Sequence, residues 1–320
     1  MRLLIVIVNY RTADLTIDCL RSLCEQIATI PDARVVVAEN GSEDDSGARL
    51  SAAITVNQWS DWARLLPLPQ NIGFAAGNNA AIRPVLESPD APRYVLLLNP
   101  DTVVRAGAIR ALLDFMEAHP EVGIAGSRLE HPDGLPQRSA FRFPTVLSEF
   151  ESAVRIGLVS RVLARRVVAP PAPDEACRTD WVAGASMIVR KAVFNAIGLL
   201  DENYFMYFEE VDFCRRAGRA GWPCWYVPAS RVVHLVGQSS GVTDVRQAHQ
   251  RRPAYWFESR RRFFMAHHGR AKTLLADMLW TAGYALWCVR RALLHKHDDD
   301  PAGLMTDFVR YNFLPGRAQA

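Results

Sequence analysis

The stretch "YVLLLNPDT", residues 94–102, carries four apolar residues directly into Asn-Pro-Asp. A short apolar run of this kind is typical of a strand buried in a parallel sheet. Pro100 cannot continue such a strand, because it has no amide hydrogen to donate. The sequence therefore predicts that Asp101 lies just beyond the strand's carboxyl end. Taken alone, Asp101 is either a solvated turn residue or part of a metal or catalytic site.

Four more strands are predicted in the first 130 residues, at Leu3–Val8, in "RVVVAENG" (34–41), around Leu65–Leu68 and in "VGIAGSRL" (122–129). Helical periodicity appears between them, for example at 106–118. This alternation predicts an α/β fold whose mostly parallel central sheet is flanked by helices.

Polar residues follow three of these strands where each strand ends. Asn9 follows the first, Glu39 the second and Asp101 the fourth. Ligands of such sheets bind beyond the carboxyl ends of the strands. Three residues in that position predict a binding site at this edge.

Composition narrows the class of protein. The 320 residues are 49% hydrophobic and 22% charged, with a net charge of +3. These values fit a globular protein with a sizeable core, and they do not indicate a nucleic-acid partner. Six scattered cysteines without a CxxC pair predict reduced thiols in a cytoplasmic protein. The apolar run after Met1 is short for a signal peptide and is interpreted as the first strand.

The stretch "NIGFAAGNNAAI" (71–82) is the second candidate motif. It is neither a Walker A loop nor a GxGxxG fingerprint. Gly73 and Gly77 would permit a ligand close to the backbone, and Asn78 and Asn79 offer donors and acceptors. A helix packed tightly on the sheet explains the glycines equally well, although not the two asparagines.

The stretch "MYFEEVDFCRRAG" (206–218) places Glu209, Glu210 and Asp212 within four residues. Like charges this close raise at least one pKa, which suits a general base that works near neutral pH. Acidic residues at a helix start are also stabilised by the helix dipole. Both interpretations stay open at this point.

The stretch "CWYVPASRVVHLVG" (224–237) predicts a pair of strands that leads to His234. A histidine here is either structural or a metal ligand. Small and hydroxyl residues follow it in a loop that could meet phosphate: Gly237, Ser239, Ser240 and Gly241.

These motifs, in this order, make the chain similar to inverting glycosyltransferases of the GT-A fold, family 2. The resemblance is to the rhamnosyltransferase-like branch of bacterial cell-surface polysaccharide synthesis, and it covers about residues 3–240. It rests on "IVIVNYR", "AENGSEDD", "NIGFAAGNN", "LLLNPDT", "VAGASMIVRKAVF", "GLLDENYFMYFEEVDFCRRAG" and "HLVGQSS".

The resemblance implies a nucleotide-diphospho-sugar transferase that uses Mg²⁺ or Mn²⁺. Asp101 and His234 would hold the metal, since 99–101 replaces the family's DxD motif. Glu210 would be the catalytic base, with Asp212 or Glu209 behind it. The donor's nucleotide would contact the following residues: Asn9, Tyr10, Glu39, Asn71, Gly73, Asn78, Asn79 and Asn99. The acceptor would border 181–186, with Trp181, Gly184 and Ala185 as its contacts.

Three positions depart from the family's pattern. Glu39 and Glu210 each replace an aspartate, which keeps the carboxylate and lengthens its reach by one methylene. Asn99 replaces the first aspartate of DxD, which leaves the metal to Asp101, His234, the donor's diphosphate and water.

The predicted domains are a GT-A catalytic domain over 1–250 and a C-terminal helical extension over 251–320. Within the first, 1–130 would be the nucleotide-sugar half and 131–250 the acceptor half. The extension is rich in arginine and aromatic residues. Its helix with Trp280, Tyr284 and Trp287 either lies on the inner face of the cell membrane or packs on this domain or on a second copy.

The partners implied are a nucleotide-diphospho-sugar donor, with dTDP-rhamnose as the first candidate, and a glycan or lipid-linked acceptor. Two alternatives stay open: a UDP-hexose or UDP-HexNAc transferase of the same fold, and a non-catalytic scaffold homologue. A Rossmann oxidoreductase would need a glycine fingerprint after the first strand, and "VNYRTADL" (8–15) lacks it.

Overall fold

The computed structural model of the chain describes residues 1–30, 32–235 and 250–314. The described residues form two compact units. Unit 1 lies within Met1–Phe141, Pro171–Phe205 and Glu209–Ser239, and unit 2 within Arg142–Pro170, Met206–Phe208 and Ser240–Ala320. The loop residues predicted to meet phosphate, Gly237, Ser239, Ser240 and Gly241, lie outside the described residues.

Eleven strands are present in the described residues, all of them in unit 1. They are Leu3–Asn9 (β1), Ala33–Asn40 (β2), Ala63–Leu68 (β3), Tyr94–Leu98 (β4), Thr102–Val104 (β5), Ile124–Glu130 (β6), Ala140–Phe141 (β7), Cys177–Thr179 (β8), Trp181–Val182 (β9), Ser186–Arg190 (β10) and Cys224–His234 (β11). Nine of them form the central sheet, in the order β3-β2-β1-β4-β10-β6-β11-β5 with β8 beside β11.

The central sheet confirms the predicted mostly parallel architecture. Strands β1, β2, β3, β4, β6 and β11 point the same way, whereas β5, β8 and β10 run against them. The predicted strand pair at 224–237 is instead the single strand β11. Its register against β6 shifts between Val227 and Arg231, and Pro228 in that interval cannot donate a ladder hydrogen bond.

Ten helices accompany the strands in the described part of the chain. They are Ala13–Ala28 (α1), Ser46–Val56 (α2), Gly73–Leu86 (α3), Ala108–Ala118 (α4), Val146–Val154 (α5), Gly157–Val162 (α6), Lys191–Ile197 (α7), Glu209–Arg219 (α8), Ala254–Leu293 (α9) and Leu304–Phe313 (α10). A short 3₁₀ turn at Ala164–Arg166 follows α6, and α9 is kinked at Gly269, which has non-helical backbone angles.

The core of unit 1 explains why these segments fold as they do. Every residue of β1 and β4 is buried, as expected for strands inside a parallel sheet with helices on both faces. Helix α1 buries Cys19, Leu20 and Leu23 at helical spacing against this sheet. Gly77 lets α3 approach β1, since a Cβ there would lie 3.0 Å from Val8 Cγ1.

The carboxyl edge of the sheet collects residues from distant parts of the sequence. Strand β4 ends at Leu98, and the chain turns through Asn99–Asp101 into β5. Strand β10 runs antiparallel to β4 with Ser186 opposite Leu98, so the residues before β10 reach the same edge. Strand β11 ends beside β5 with His234 opposite Thr102. The sheet therefore brings 99–101, 183–185 and His234 together.

Unit 2 is helical, and its core is aromatic. Helices α5 and α10 pack on α9, and Trp280 stacks on Phe308 with ring centroids 3.8 Å apart. Tyr284 and Trp287 are also buried, at 4% and 9% exposure. The sequence left open whether these three aromatic residues contact a membrane or protein, and the structure shows that they fill the core of their own unit. No helix of the described residues is long and apolar enough to cross a membrane.

The two units divide the chain differently from the predicted boundary at residue 250. Residues 142–170 belong with the C-terminal residues, because α5 packs along α9. Gly283 permits this packing, since a Cβ there would lie 3.2 Å from the Phe150 carbonyl oxygen. All six cysteines lie among the described residues and are free thiols.

Candidate active site

Asn99, Asp101 and His234 form the centre of the candidate site. His234 Nε2 lies 3.5 Å from Asp101 Oδ1 and 3.5 Å from Asn99 Nδ2. The Asp101 side chain is fully buried and the His234 side chain is 16% exposed. A buried carboxylate is stable only with a cationic or hydrogen-bonding neighbour. The structure thus brings the two predicted metal ligands together.

These three side chains fit a divalent cation. Ligands of Mg²⁺ lie at about 2.0–2.1 Å, so adjacent ligands of one ion are about 3 Å apart. The 3.5 Å distance between Asp101 Oδ1 and His234 Nε2 is close to this. Among the described residues no group of three or more His, Cys, Asp or Glu could hold a metal. Further oxygen ligands would come from Asn99, the donor or water.

Backbone and side-chain contacts hold this cluster in place. The Leu235 amide donates to the Asp101 carbonyl at 2.9 Å, which continues the pairing of β11 with β5. Gln137 Nε2 donates to the His234 carbonyl at 2.8 Å and is itself 9% exposed. No sequence motif indicated Gln137, because it lies in the loop after β6.

The predicted acceptor residues Gly184 and Ala185 border the same cluster. The Asn99 amide donates to the Ala185 carbonyl at 3.0 Å. A Cβ built on Gly184 would lie 3.6 Å from the Phe74 ring and 3.8 Å from Glu210 Cβ. Residues 184 and 185 therefore lie between Glu210 and the cluster of Asn99, Asp101 and His234.

Trp181, the third predicted acceptor residue, stacks on Phe141 with ring centroids 4.1 Å apart and planes 14° apart. Its strand β9 pairs with β7 in a small separate sheet, with Phe141 opposite Trp181. The stacked pair is half-buried. A partly exposed aromatic face of this kind suits the apolar side of a sugar ring.

Glu209 and Glu210 begin α8 as a pair of buried carboxylates. Burial raises the pKa of Glu210 to about 7, although backbone amide hydrogen bonds oppose this. Burial, followed by the charge of Glu210, raises the pKa of Glu209 well above its ordinary value. Neither Oε2 atom has a hydrogen-bond partner among the residues that the structure describes. A carboxylate with a pKa near 7 is suited to general-base chemistry at neutral pH.

Asp212, the other predicted carboxylate of α8, makes a different set of contacts. Its Oδ2 accepts from Arg216 Nε at 2.7 Å, one turn further along the helix. Arg216 also donates to the carbonyls of Ile197 and Leu199, at 2.8 and 2.9 Å. Asp212 thus anchors the loop after α7 through Arg216.

Two consecutive residues before α8 have left-handed backbone conformations. The φ angles are 69° at Tyr207 and 67° at Phe208. For residues with a bulky side chain this conformation costs about 1–3 kcal/mol each, and it is found mostly at functional sites.

The residues of the first two strands that are predicted to contact the nucleotide-sugar donor share one hydrogen-bond network. Asn9 Nδ2 lies 3.4 Å from Ser42 Oγ, and its Oδ1 accepts from Thr16 Oγ1 at 2.9 Å. Glu39 Oε1 accepts from the Ser42 amide at 3.0 Å and from the Ser42 hydroxyl. Tyr10 is half-buried next to this network, with the Arg11 guanidinium 5.1 Å from its ring centroid.

A second donor-side network ties β2 to the start of α3. Asn40 Nδ2 donates to Asn71 Oδ1 at 2.9 Å and to the Gly73 carbonyl at 3.2 Å. Gly73 has φ of 85°, and a Cβ there would lie 2.3 Å from the Phe205 carbonyl oxygen. Asn40 was not among the predicted site residues, although its place at the carboxyl end of β2 could have indicated it.

The two adjacent asparagines of α3 have different roles. Asn79 donates to the Leu200 carbonyl at 2.8 Å and to Glu202 Oε1 at 2.9 Å, and it accepts from the Leu200 amide. It therefore holds the loop that follows α7. Asn78 donates to the Phe74 carbonyl at 2.9 Å, and its buried Oδ1 accepts no hydrogen bond from any described residue. Asn78 thus keeps an acceptor for a ligand.

Two sequence families match the chain. It matches Glycosyl transferase family 2 over residues 4–163 and Glycosyl transferase family group 2 over residues 94–296. An N-acetylglucosaminyl-diphospho-decaprenol L-rhamnosyltransferase of Mycobacterium tuberculosis is 30% identical over 286 residues, which cover 85% of this chain and 84% of that protein. Rhamnosyltransferase WbbL of Escherichia coli is 30% identical over 168 residues, which cover 51% and 60%.

Solved structures share the fold. GalNAc-T7 with UDP, GalNAc and Mn²⁺ superposes with a TM-score of 0.57 at 14% identity, over 83% of this chain and 51% of that one. This chain thus spans about half the length of GalNAc-T7. The mannosyltransferase PcManGT of Pyrobaculum calidifontis, with GDP-Man and Mn²⁺, superposes with a TM-score of 0.52 at 14% identity, over 91% and 75%.

The mixed α/β fold of the described residues places the chain in the GT-A fold class of these solved structures. Within that class, the chain belongs to glycosyltransferase family 2. The predicted family and fold are thereby confirmed.

Proposed function

We propose that this glycosyltransferase moves rhamnose from dTDP-rhamnose to a lipid-linked glycan acceptor, with inversion at the anomeric carbon. The reaction would serve cell-surface polysaccharide synthesis at the cytoplasmic face of the cell membrane. The geometric observation that carries the proposal is the meeting of Asp101, His234 and Gly184 with Glu210 at one sheet edge. The donor and acceptor follow from two relatives named as rhamnosyltransferases, one of which acts on a diphospho-decaprenol lipid.

Glu210 is the general base in this proposal. Its raised pKa lets it take a proton from the acceptor hydroxyl at neutral pH. The hydroxyl oxygen then forms a bond to the anomeric carbon while the bond to the nucleoside diphosphate breaks, which inverts the configuration. Glu209 precedes Glu210 in α8, and burial and the charge of Glu210 raise the pKa of Glu209 in turn, while Asp212 positions α8 through Arg216.

Asp101 and His234, with Asn99, would hold Mg²⁺ or Mn²⁺. Such an ion stabilises the negative charge of a departing diphosphate as a Lewis acid. The two solved structures named above contain Mn²⁺, which supports a divalent cation in this fold. The burial of Asp101 beside His234 supports these residues as its ligands.

The donor and acceptor would occupy opposite ends of the site. Asn9, Tyr10 and Glu39 would border the nucleotide. The segment from Asn71 to Asn79, which turns at Gly73, would hold the nucleotide through the side-chain oxygen Oδ1 of Asn78. These residues come from 1–130, the proposed nucleotide-sugar half. Trp181, Gly184 and Ala185 border the acceptor and come from 131–250, the proposed acceptor half.

The experiment is a donor screen. Release of nucleoside diphosphate is measured with dTDP-rhamnose, UDP-glucose and UDP-GlcNAc, each with Mn²⁺, Mg²⁺ or EDTA and a diphospho-lipid acceptor analogue. We expect turnover with dTDP-rhamnose, its loss in EDTA, and its loss in Asp101→Ala. Exposed Asp61→Ala is the matched control and should leave turnover unchanged.

The screen also decides between the alternatives. Turnover with a UDP-sugar alone would replace the rhamnose proposal with a UDP-hexose or UDP-HexNAc transferase of the same fold. Donor binding without turnover on any acceptor would instead favour a non-catalytic scaffold. Turnover that is unchanged in EDTA and in Asp101→Ala would contradict the metal assignment.

A further inference from the structure

We propose that the outward face of the second half of α9, together with α6, docks on an anionic phospholipid bilayer. This face is defined as Leu275, Met278, Ala282, Leu286, Val289 and Leu293. The inference deepens the proposed function, because a lipid-linked acceptor is presented at a bilayer surface. Its location differs from the aromatic stripe that the sequence suggested.

The outward face is a continuous apolar stripe. Its residues recur every three or four positions, which is the spacing of one side of a helix. Met278 is 47% exposed, Leu286 55%, Val289 59% and Leu293 74%. At about 1.5 Å per residue the stripe is about 27 Å long. Exposed apolar patches of this size mark interaction sites.

The other side of the same helix segment is already occupied. Trp280, Gly283, Tyr284 and Trp287 are buried in the core of unit 2. A helix with apolar residues on all sides is normally buried, by protein or by lipid, on all sides. The exposed leucines therefore do not serve the folding of this unit, and they are available to a partner.

Helix α6 adds a second apolar contact of the same unit. Leu158 and Val162, one turn apart, are 68% and 76% exposed. Arg290 Nη1 donates to the Arg155 carbonyl at 2.9 Å. This bond puts the start of α6, two residues further along the chain, beside the last turns of α9.

The charged residues around the outward face indicate what kind of partner binds it. Arg270 and Lys272 are exposed before the stripe, and Lys296 after it. Asp277 is 1% exposed and is bonded to Arg260. The exposed aspartates that follow Lys296 are paired within the chain, Asp298 with Arg291 and Asp299 with His297. The α6 segment, 157–166, carries three exposed arginines and no acidic residue. An apolar face with cationic flanks matches an anionic bilayer, because each basic residue near such a surface adds to binding.

A second copy of the chain fits this face less well. Two such faces in contact would bring together the exposed arginines of 157–166, Arg270 and Lys272, and like charges across an interface oppose association. The exposed aspartates at the end of the stripe, Asp298 and Asp299, already pair with Arg291 and His297 of their own chain. A bilayer surface with anionic headgroups has no such conflict. The charge pattern therefore favours lipid over self-association.

The test is co-sedimentation of the full chain with vesicles of phosphatidylcholine alone or with phosphatidylglycerol added. We expect binding to the anionic vesicles that 0.5 M NaCl weakens. The triple variant Met278→Glu, Leu286→Glu, Val289→Glu should bind about 100-fold more weakly or worse, because three apolar side chains lose their burial. The control carries Val56→Glu and Leu135→Glu, two apolar residues elsewhere that are more exposed than the three substituted ones, and should bind as the wild type does.

Turnover with a water-soluble acceptor analogue separates this inference from the proposed function. The triple variant should keep wild-type turnover and circular dichroism while it loses vesicle binding. Equal binding to neutral and anionic vesicles, or vesicle binding that survives the triple substitution, would overturn the inference. So would a dimer in sedimentation velocity that the triple substitution dissociates, because the occupant would then be a second copy. If the triple variant misfolds, Arg161→Glu with Arg165→Glu on the wild-type face must weaken binding to anionic vesicles.

Discussion

Each unit of the molecule buries a pair of carboxylates, and the two pairs are treated in opposite ways. In unit 2, Glu149 and Asp277 both accept from Arg260, each with an oxygen 2.7 Å from its guanidinium. In unit 1, Glu209 and Glu210 lie side by side, and within the described part of the chain each has an Oε2 atom without a hydrogen-bond partner. A cation neutralises the first pair, whereas no described cation is bonded to the second.

The difference shows how a structural cluster is told from a functional one. Arg260 is 1% exposed, and nearby Glu149 and Asp277 raise its pKa, which outweighs the effect of burial. Its carboxylates thus fix helices α5 and α9 in place. Burial raises the pKa of Glu209 and of Glu210, as it raises that of Asp277, but no cation of the described residues is bonded to either glutamate. A raised carboxyl pKa next to a binding edge is the expected property of a catalytic base.

The largest effect should follow from Glu210→Gln, which removes the base and keeps the shape. We expect turnover to fall by about 100- to 10,000-fold, because general-base catalysis is worth that much. Donor affinity, measured by calorimetry with the nucleoside diphosphate, should stay the same. Exposed Glu202→Gln would be a poor control because Glu202 bonds Asn79, so Glu175→Gln is used. Undiminished turnover would remove Glu210 from the mechanism.

Arg260→Met tests the other pair and should act on stability. Removing one member of a buried ion pair costs about 3–5 kcal/mol, since a buried charge is left without its partner. Here two carboxylates would lose their shared cation, and Asn312 would lose its 3.3 Å bond. Urea unfolding measures the loss, with exposed Arg138→Met as the control. A stability within about 0.5 kcal/mol of wild type would show that the cluster is not structural.

The pH dependence of turnover tests whether Glu210, unlike the carboxylates bonded to Arg260, acts as a base. The base works only when deprotonated, so activity should be lost as the pH falls through the pKa of Glu210, about 7. Below that value kcat/KM should fall about tenfold for each pH unit, and above it should level off. Rates are measured between pH 5 and 9 with saturating metal. A profile that is flat from pH 5 to 8 would contradict the raised pKa.

The carboxyl edge of the sheet was predictable from sequence, and the pairing of side chains across it was only partly so. Asn9, Glu39 and Asp101 each follow an apolar run, and parallel strands place such residues at one edge. That Asp101 and His234 meet depends on the pairing of β11 with β5, which local patterns do not specify.

The aromatic stripe of α9 shows a limit of sequence patterns. Trp280, Tyr284 and Trp287 have the same spacing whether they face lipid or a protein core. Phe257 and Phe308, more than 20 residues away from Trp280, decide the outcome by packing against them. The apolar residues on the opposite side of the helix have this spacing too, so the spacing alone does not show which of the two sides is exposed.

The smallest effect on turnover should follow from Asp212→Asn, although Asp212 lies in the same helix turn as Glu210. Asp212 accepts from Arg216, which in turn holds the carbonyls of Ile197 and Leu199. Weakening this charged hydrogen bond should cost about 1.5–3 kcal/mol of stability. Turnover should fall by less than about tenfold, which corresponds to about 1.4 kcal/mol in the barrier.

Arg216→Met is the matched partner of that change, because it removes the other end of the same bond. Both variants are unfolded in urea and assayed with the preferred donor, and we expect a shared loss of stability with turnover largely kept. A fall in turnover for Asp212→Asn that approaches that of Glu210→Gln, with stability unchanged, would instead place Asp212 at the reacting hydroxyl. Pairing with an arginine would then no longer distinguish a structural carboxylate from a catalytic one.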